Sequence, residues 1–287
     1  MKRNVTLVLS GGGARGYAHI GAIEEIENRG YSINSVAGTS IGALIGGVYA
    51  TGKLKEFKEW ICNFDKQKVL KLVDFTMSNQ GIVKGDRVFQ AMKRFIPDTN
   101  IEDLKIKYTA TAFDLAHNNE VVFNSGSLYN AIRASISIPT VFTPVISGNS
   151  VLVDGGITNN IPINNAVRSE NDLLIAVNVN ADIQEIPSTI PKNEWENKLM
   201  NKKADEITKG LFRRNKHEQK VSFNYFKLIE LTISSMTNHL AGMTLKNNPP
   251  DILIEVPRKS CGTFDFIKAV TLIEIGRCAA KKSLDLL

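Results

Sequence analysis

Ile33-Asn34-Ser35-Val36-Ala37-Gly38-Thr39-Ser40-Ile41-Gly42-Ala43-Leu44 is the stretch on which the reading of this chain turns. An apolar run, Ile33 to Ala37, enters a G-x-S-x-G pentapeptide, Gly38 to Gly42. A small-residue run, Ala43 to Ala50, leaves it. Strand in, tight turn, helix out is the context in which this pentapeptide lifts a serine hydroxyl above a sheet edge. Gly38 and Gly42 form the elbow because a side chain on either flank would crowd so sharp a turn. The first N–H groups of the following helix face negative charge developing near Ser40.

Upstream, Val5-Thr6-Leu7-Val8-Leu9 reads as a short buried strand and Ala18 to Ile26 as the start of a helix pattern. Between them lies Ser10-Gly11-Gly12-Gly13-Ala14-Arg15-Gly16. Consecutive glycines let backbone approach a ligand closely and aim several N–H groups at one point. That suits an oxyanion. Gly11, Gly13 and Gly16 also satisfy G-x-G-x-x-G, but a dinucleotide site needs an acid at the end of the second strand, roughly 20 residues on. Ile33 to Ala37 carries no such acid and runs straight into the serine turn. Gly47 to Leu54 nearly matches a phosphate loop, with Leu54 where a hydroxyl is required, and follows a helical run. It reads as a helix end with Gly52 as its cap.

Val151-Leu152-Val153-Asp154-Gly155-Gly156 delivers one carboxylate at the end of an apolar strand. Alone this is an ordinary Asp-Gly turn. Beside the serine turn and the glycine loop, Asp154 becomes a candidate general base for the Ser40 proton. Arg133-Ala134-Ser135-Ile136-Ser137-Ile138-Pro139 shows only that a helix ends and a constrained turn leads on to the Asp154 strand.

These four blocks, in this order, resemble the patatin-like phospholipases, in particular the compact bacterial members. The resemblance spans Gly11 to Gly156. It implies a three-layer α/β/α sandwich with a mainly parallel central sheet, and a Ser–Asp dyad without a catalytic histidine. On that resemblance Ser40 is the nucleophile and Asp154 the dyad acid. Gly11, Gly12 and Gly13 form the oxyanion loop with Arg15 flanking it, and Gly38 and Gly42 form the elbow. Ser10 departs from the pattern, since many members carry an aspartate there, and no loss of chemistry is expected from it. The implied reaction is acyl transfer from a lipid or acyl ester through an acyl-enzyme on Ser40. An acyltransferase or thioesterase using the same dyad, or a non-catalytic lipid-binding regulator on the same fold, are the alternatives.

A Ser–Asp–His triad would need His217 or His239. His217 sits in the charged run Arg213 to Lys216 and reads as solvated. His239 lies in a helical run and reads as partly buried. His19, close behind the glycine loop, is expected to support that loop by a hydrogen bond. His117 falls in a hairpin turn between Tyr108 to Asp114 and Val121 to Phe123.

The 287 residues read as one α/β domain, 1–287, with a helical insert at about 190–248. Leu173 to Val179 is a buried strand, Asn193 to Lys246 two long helices, Asp251 to Val256 a strand, and Phe264 to Leu286 a closing helix. The insert has an apolar component, through Trp195, Leu199, Ile207, Leu211 and Phe212, and is basic through Lys198, Lys202, Lys203, Lys209, Arg213, Arg214, Lys216 and Lys220, a charge that Glu194, Glu196, Asp205, Glu206 and Glu218 dilute. It fits either a solvated helix packed on the sheet or peripheral contact with an anionic lipid surface. The net charge of +6 agrees with loose association with anionic surfaces, but the charges are dispersed and no nucleic-acid module is present. Cys62, Cys261 and Cys278 are odd in number and widely spaced, so they read as reduced thiols. No metal-ligand spacing appears and no cofactor is expected. Met1-Lys2-Arg3 before Val5 to Leu9 has the start of a signal peptide, but the apolar run is too short and flows into the glycine loop. No stretch reaches the roughly 20 apolar residues of a membrane span. The expected location is cytoplasmic, peripheral to membranes at most.

Overall fold

The computed structural model describes residues 3–78, 81–184 and 225–286. Its strands are β1 (Asn4–Leu9), β2 (Ser32–Thr39), β3 (Phe75–Ser78), β4 (Gly81–Val83), β5 (Lys107–Asp114) and β6 (Asn119–Phe123), followed by β7 (Thr140–Phe142), β8 (Val145–Ser147), β9 (Ser150–Asp154), β10 (Leu173–Ala181) and β11 (Ile252–Pro257). Its helices are α1 (Ala18–Asn28), α2 (Ile41–Ala50), α3 (Leu54–Cys62), α4 (Lys66–Leu72), α5 (Asp86–Met92), α6 (Leu128–Ser135), α7 (Tyr225–Asn247) and α8 (Ala269–Leu284).

Strands β11, β10, β1, β2 and β5 lie side by side in that order, all parallel. Alternation along the strands divides the core into two layers. Val5, Leu7 and Leu9 of β1 share one cluster with Ile20 and Ile23 of α1, Ile45 of α2, Ile132 of α6 and Leu272 of α8. Val8 faces the other way and packs with Leu174, Ala176, Ile161 and Ala241 of α7. Helices therefore cover both faces, giving the α/β/α sandwich. Each aliphatic side chain fully withdrawn from water in these layers contributes about 1.5–3 kcal/mol.

The register around β5 decides where the chemistry can occur. β6 runs antiparallel along one edge, from Ala110 to Asp114. The other edge is divided: β2 pairs with it as far as Thr111, opposite Thr39, and β9 takes over from Ala112, opposite Asp154. β2 and β9 thus approach each other end to end. The residue after Thr39 is Ser40, so the two candidate residues meet where the strands meet.

The hairpin turn at Ala116 to Asn119 lies where the sequence places it, with His117 exposed and its Nδ1 2.7 Å from Asp114. Gly52, at φ 75°, caps the end of α2, with its N–H on the Tyr49 carbonyl and that of Lys53 on Val48. The closing helix begins at Ala269 rather than Phe264, because Gly262 to Lys268 forms turns fixed by Asp265, which accepts the Gly262 N–H. Of the insert, α7 is the described part, and the reading of the segment before it, including His217, lies outside the described residues. No helix among the described residues is long and apolar enough to cross a membrane.

Candidate active site

Ser40 stands between β2 and α2 with φ 56° and ψ −126°. A non-glycine residue in that region carries about 1–3 kcal/mol of strain and persists only where its surroundings over-determine it. The flanking glycines are part of that surrounding. A Cβ on Gly38 would come within 2.4 Å of the Gly42 backbone, and one on Gly42 within 2.2 Å of the Leu9 carbonyl oxygen. The close passage of this turn over the end of β1 is what the G-x-S-x-G spacing encodes.

The Ser40 hydroxyl lies beside the Asp154 carboxylate, close enough to favour its ionised form as a hydrogen-bond donor. Both residues are about 5 % exposed. Asp154 also accepts the Gly156 N–H on Oδ1 at 2.8 Å, and its own N–H donates to the Ser137 carbonyl at 2.9 Å. Burial pushes the Asp154 carboxyl up to about 6, and the hydrogen bonds from Ser40 and Gly156 only partly oppose this. A carboxylate with that pKa is a stronger base than one in water and is still ionised at neutral pH.

The glycine loop is fixed from four sides. Ser10 donates its N–H to Val177 and accepts the Val179 N–H on Oγ, so this neutral, wholly buried serine ties the loop to β10. The Ser10 carbonyl accepts a 2.8 Å hydrogen bond from His19 Nε2, as expected from the sequence. Burial lowers the His19 pKa to about 4, against the hydrogen bond to Ser10, so the ring is neutral with its proton on Nε2. The Gly11 N–H donates to the Asn160 carbonyl at 3.0 Å, and that of Ala14 to Thr263 at 2.8 Å. The Gly11 N–H is thus engaged by Asn160 and anchors the loop. Gly12 and Gly13 carry the loop N–H groups without a protein acceptor among the described residues. Arg15 braces the loop rather than joining the donors: its Nε and Nη2 hold Asn180 Oδ1 at 3.2 and 2.9 Å, and its Nη1 holds the Cys261 carbonyl at 3.2 Å.

Gly11, Gly12, Gly13, Arg15, Ser40 and Asp154 line one cavity of about 410 Å³. Ile138, Val141, Ile157, Ile233 and Phe264 give it an apolar wall, with Ile233, Thr237 and Asn238 contributed by α7. Asn160 and Asn180 also line it. The sequence reading missed both. The Asn180 amide bonds the Gly11 carbonyl at 2.6 Å, and its only signal was a polar residue at the end of a strand that the reading closed at Val179. No histidine lines this cavity among the described residues. His239 is exposed on α7, not partly buried, because Asn238 and Ala241 occupy the inward positions of that turn.

An α/β/α sandwich with a strained serine elbow, a buried aspartate and a glycine loop around one cavity defines the class. The patatin-like phospholipase profile matches residues 7–167. An uncharacterized NTE family protein of Mycobacterium bovis is 33 % identical over 328 residues, covering 98 % of this chain and 91 % of that one. The lysophospholipase NTE1 of Yarrowia lipolytica is 31 % identical over 197 residues, covering 66 % of this chain and 13 % of its own length. Among solved structures, VipD from Legionella pneumophila shares the fold with a TM-score of 0.51 at 13 % identity, over 99 % of this chain and 67 % of that one. The chain belongs to the patatin-like phospholipase family.

Proposed function

We propose that this protein is a serine-dependent lipid acyl hydrolase in which Ser40 and Asp154 act as a catalytic dyad. The observation that carries the reading is Ser40 beside a buried Asp154 in one cavity, with the Gly12 and Gly13 N–H groups free of a protein acceptor among the described residues.

Ser40 Oγ attacks the ester carbonyl carbon as its proton passes to Asp154. The carbonyl oxygen becomes an oxyanion facing the N–H groups of Gly12 and Gly13, with that of Ile41 at the first turn of α2. One such donor is worth about 2.7–4 kcal/mol in the transition state. When the C–O bond breaks, the proton on Asp154 goes to the leaving alcohol, leaving an acyl-enzyme on Ser40. Water then gives up a proton to Asp154, attacks the acyl carbon and releases the acid, and Ser40 regains its proton from Asp154. The apolar wall formed by Ile138, Val141, Ile157 and Phe264 suits an acyl chain.

The Yarrowia relative is named a lysophospholipase, which makes a lysophospholipid the first substrate to try. Peripheral docking on the lipid that holds the substrate fits the net charge of +6. Incubation with lysophosphatidylcholine and quantification of free fatty acid tests the reading, with Ser40→Ala as the control. Fatty acid release by the wild type that vanishes in the variant is the expected result. Equal release by both would refute it. Acyl transfer to an added alcohol in place of water would identify a transferase.

A further inference from the structure

The third sequence block, Arg133 to Pro139, enters the chemistry above only through Ile138 in the cavity wall, yet it touches both reacting residues from behind. We infer that Ser135, at the C-terminal end of α6, is a positioning residue for the acyl transfer, holding the backbone of the nucleophile to the strand on which Asp154 is registered. The inference rests on Ser40 being the nucleophile.

Ser135 is fully buried and does not line the cavity, so it cannot meet substrate. Its hydroxyl is used in both directions. It accepts the Ser40 N–H at 2.8 Å and donates to the Thr111 carbonyl at 2.6 Å. Thr111 is the β5 residue opposite Thr39, and the next residue, Ala112, is opposite Asp154. One hydroxyl therefore bridges the strained elbow to the seam where β2 and β9 meet.

A serine at a helix end more often satisfies itself on the carbonyl four residues back. Ser137 does so: its hydroxyl donates to the Arg133 carbonyl at 2.8 Å and accepts from Arg133 Nη1 at 2.6 Å. Ser135 instead reaches across to two other elements. Ser137 contributes its carbonyl, which accepts the Asp154 N–H at 2.9 Å. Within three residues the chain thus grips Ser40 through a side chain and Asp154 through its backbone. The Ser40 N–H is also withdrawn from the cavity, so the oxyanion is left to other donors.

Removing the Ser135 hydroxyl frees the Ser40 N–H and lets φ relax, turning Oγ away from the line of attack. Misplacement of a reacting atom by about 1 Å costs on the order of 100-fold in rate. The test is the second-order rate of fluorophosphonate labelling, with kcat and KM on a short p-nitrophenyl ester, for wild type, Ser135→Ala and Ser135→Cys, alongside thermal melts. Labelling and kcat should fall about 10- to 100-fold in Ser135→Ala with KM within about twofold, as misorientation without loss of binding requires. Ser135→Cys, of similar size and with a weak donor and acceptor, should fall between them. A lowered melting temperature with labelling and kcat unchanged in Ser135→Ala would overturn the role and leave a purely structural serine. If Ser135→Ala does not fold, Ser135→Cys decides by the same criteria. Wild type that never labels removes the reading of Ser40 itself, and this role with it. Labelled wild type with an unchanged variant removes only the role.

Discussion

Two buried aspartates stand at opposite ends of the sheet, and burial alone explains neither. Asp154, at the carboxyl ends of β2 and β9, is 5 % exposed, and Asp172, just before β10, is 6 % exposed. Burial pushes both carboxyls up. At Asp172 this is overcome by the Thr6 hydroxyl, the Ser169 N–H and the Arg168 guanidinium, and the net shift is downward. At Asp154, among the described residues, Ser40 and one backbone N–H oppose burial without a cation, and the pKa stays up at about 6. One end of the sheet uses a carboxylate to lock loops together. The other leaves its carboxylate under-compensated and able to take a proton. Such under-compensation marks sites of chemistry more often than of stability.

The comparison breaks most readily by exchanging amide for carboxylate. Asp154→Asn should lower kcat by about 10³-fold or more, within the range of general-base losses, while Asp172→Asn should leave kcat per folded molecule within about twofold. Steady-state ester hydrolysis on folded protein checks both. Gly12→Ala comes next. Its Cβ would meet Val179 Cγ2 at 2.4 Å, so the loop must shift and its N–H lose aim. A fall of about 10²-fold in kcat is expected, as for loss of one oxyanion donor.

Stability should move the opposite way to activity. Asp172→Asn should cost about 2 kcal/mol, because the Arg168 guanidinium loses the nearer of its two carboxylate partners, keeping only Asp251 at 3.6 Å. Asp154→Asn should gain on the order of 2 kcal/mol at pH 7, by removing a carboxylate that folding makes harder to ionise. Urea denaturation measures both changes. The pH dependence has a definite sign. Asp154 holds its proton more tightly folded than unfolded, so its ionisation lowers stability as pH rises from about 4 through about 6, and the Asp154→Asn gain should disappear below about pH 4. Asp172, with its lowered pKa, gives stability that is present above its unfolded value and lost as pH falls through the folded one. In the wild type, kcat/KM should rise about tenfold per pH unit below about 6 and level off above it.

Much of this site was legible because local chemistry wrote it. Gly38 and Gly42 are the residues that let the elbow cross β1, and Val5 to Leu9 and Leu173 to Val179 are apolar enough to read as central strands. What was not legible depends on partners far along the chain. Gly11 looks like its neighbours, and only the Asn160 backbone, 149 residues on, takes its N–H out of the donor set. Ser135 and Asn180 are small polar residues at element ends, a common pattern whose meaning lies in what the tertiary fold brings opposite. The small sheet of β3, β4 and β7 was unread as well, since Thr140–Phe142 is too short to show a period and pairs with residues near 81–83.

The most direct test of the central claim is intact-mass labelling with a fluorophosphonate on wild type, Ser40→Ala, Asp154→Asn and Asp172→Asn. A single adduct on wild type and on Asp172→Asn, strongly slowed in Asp154→Asn and absent from Ser40→Ala, is what a serine activated by Asp154 requires. An adduct that persists in Ser40→Ala, or forms at the wild-type rate in Asp154→Asn, would contradict it.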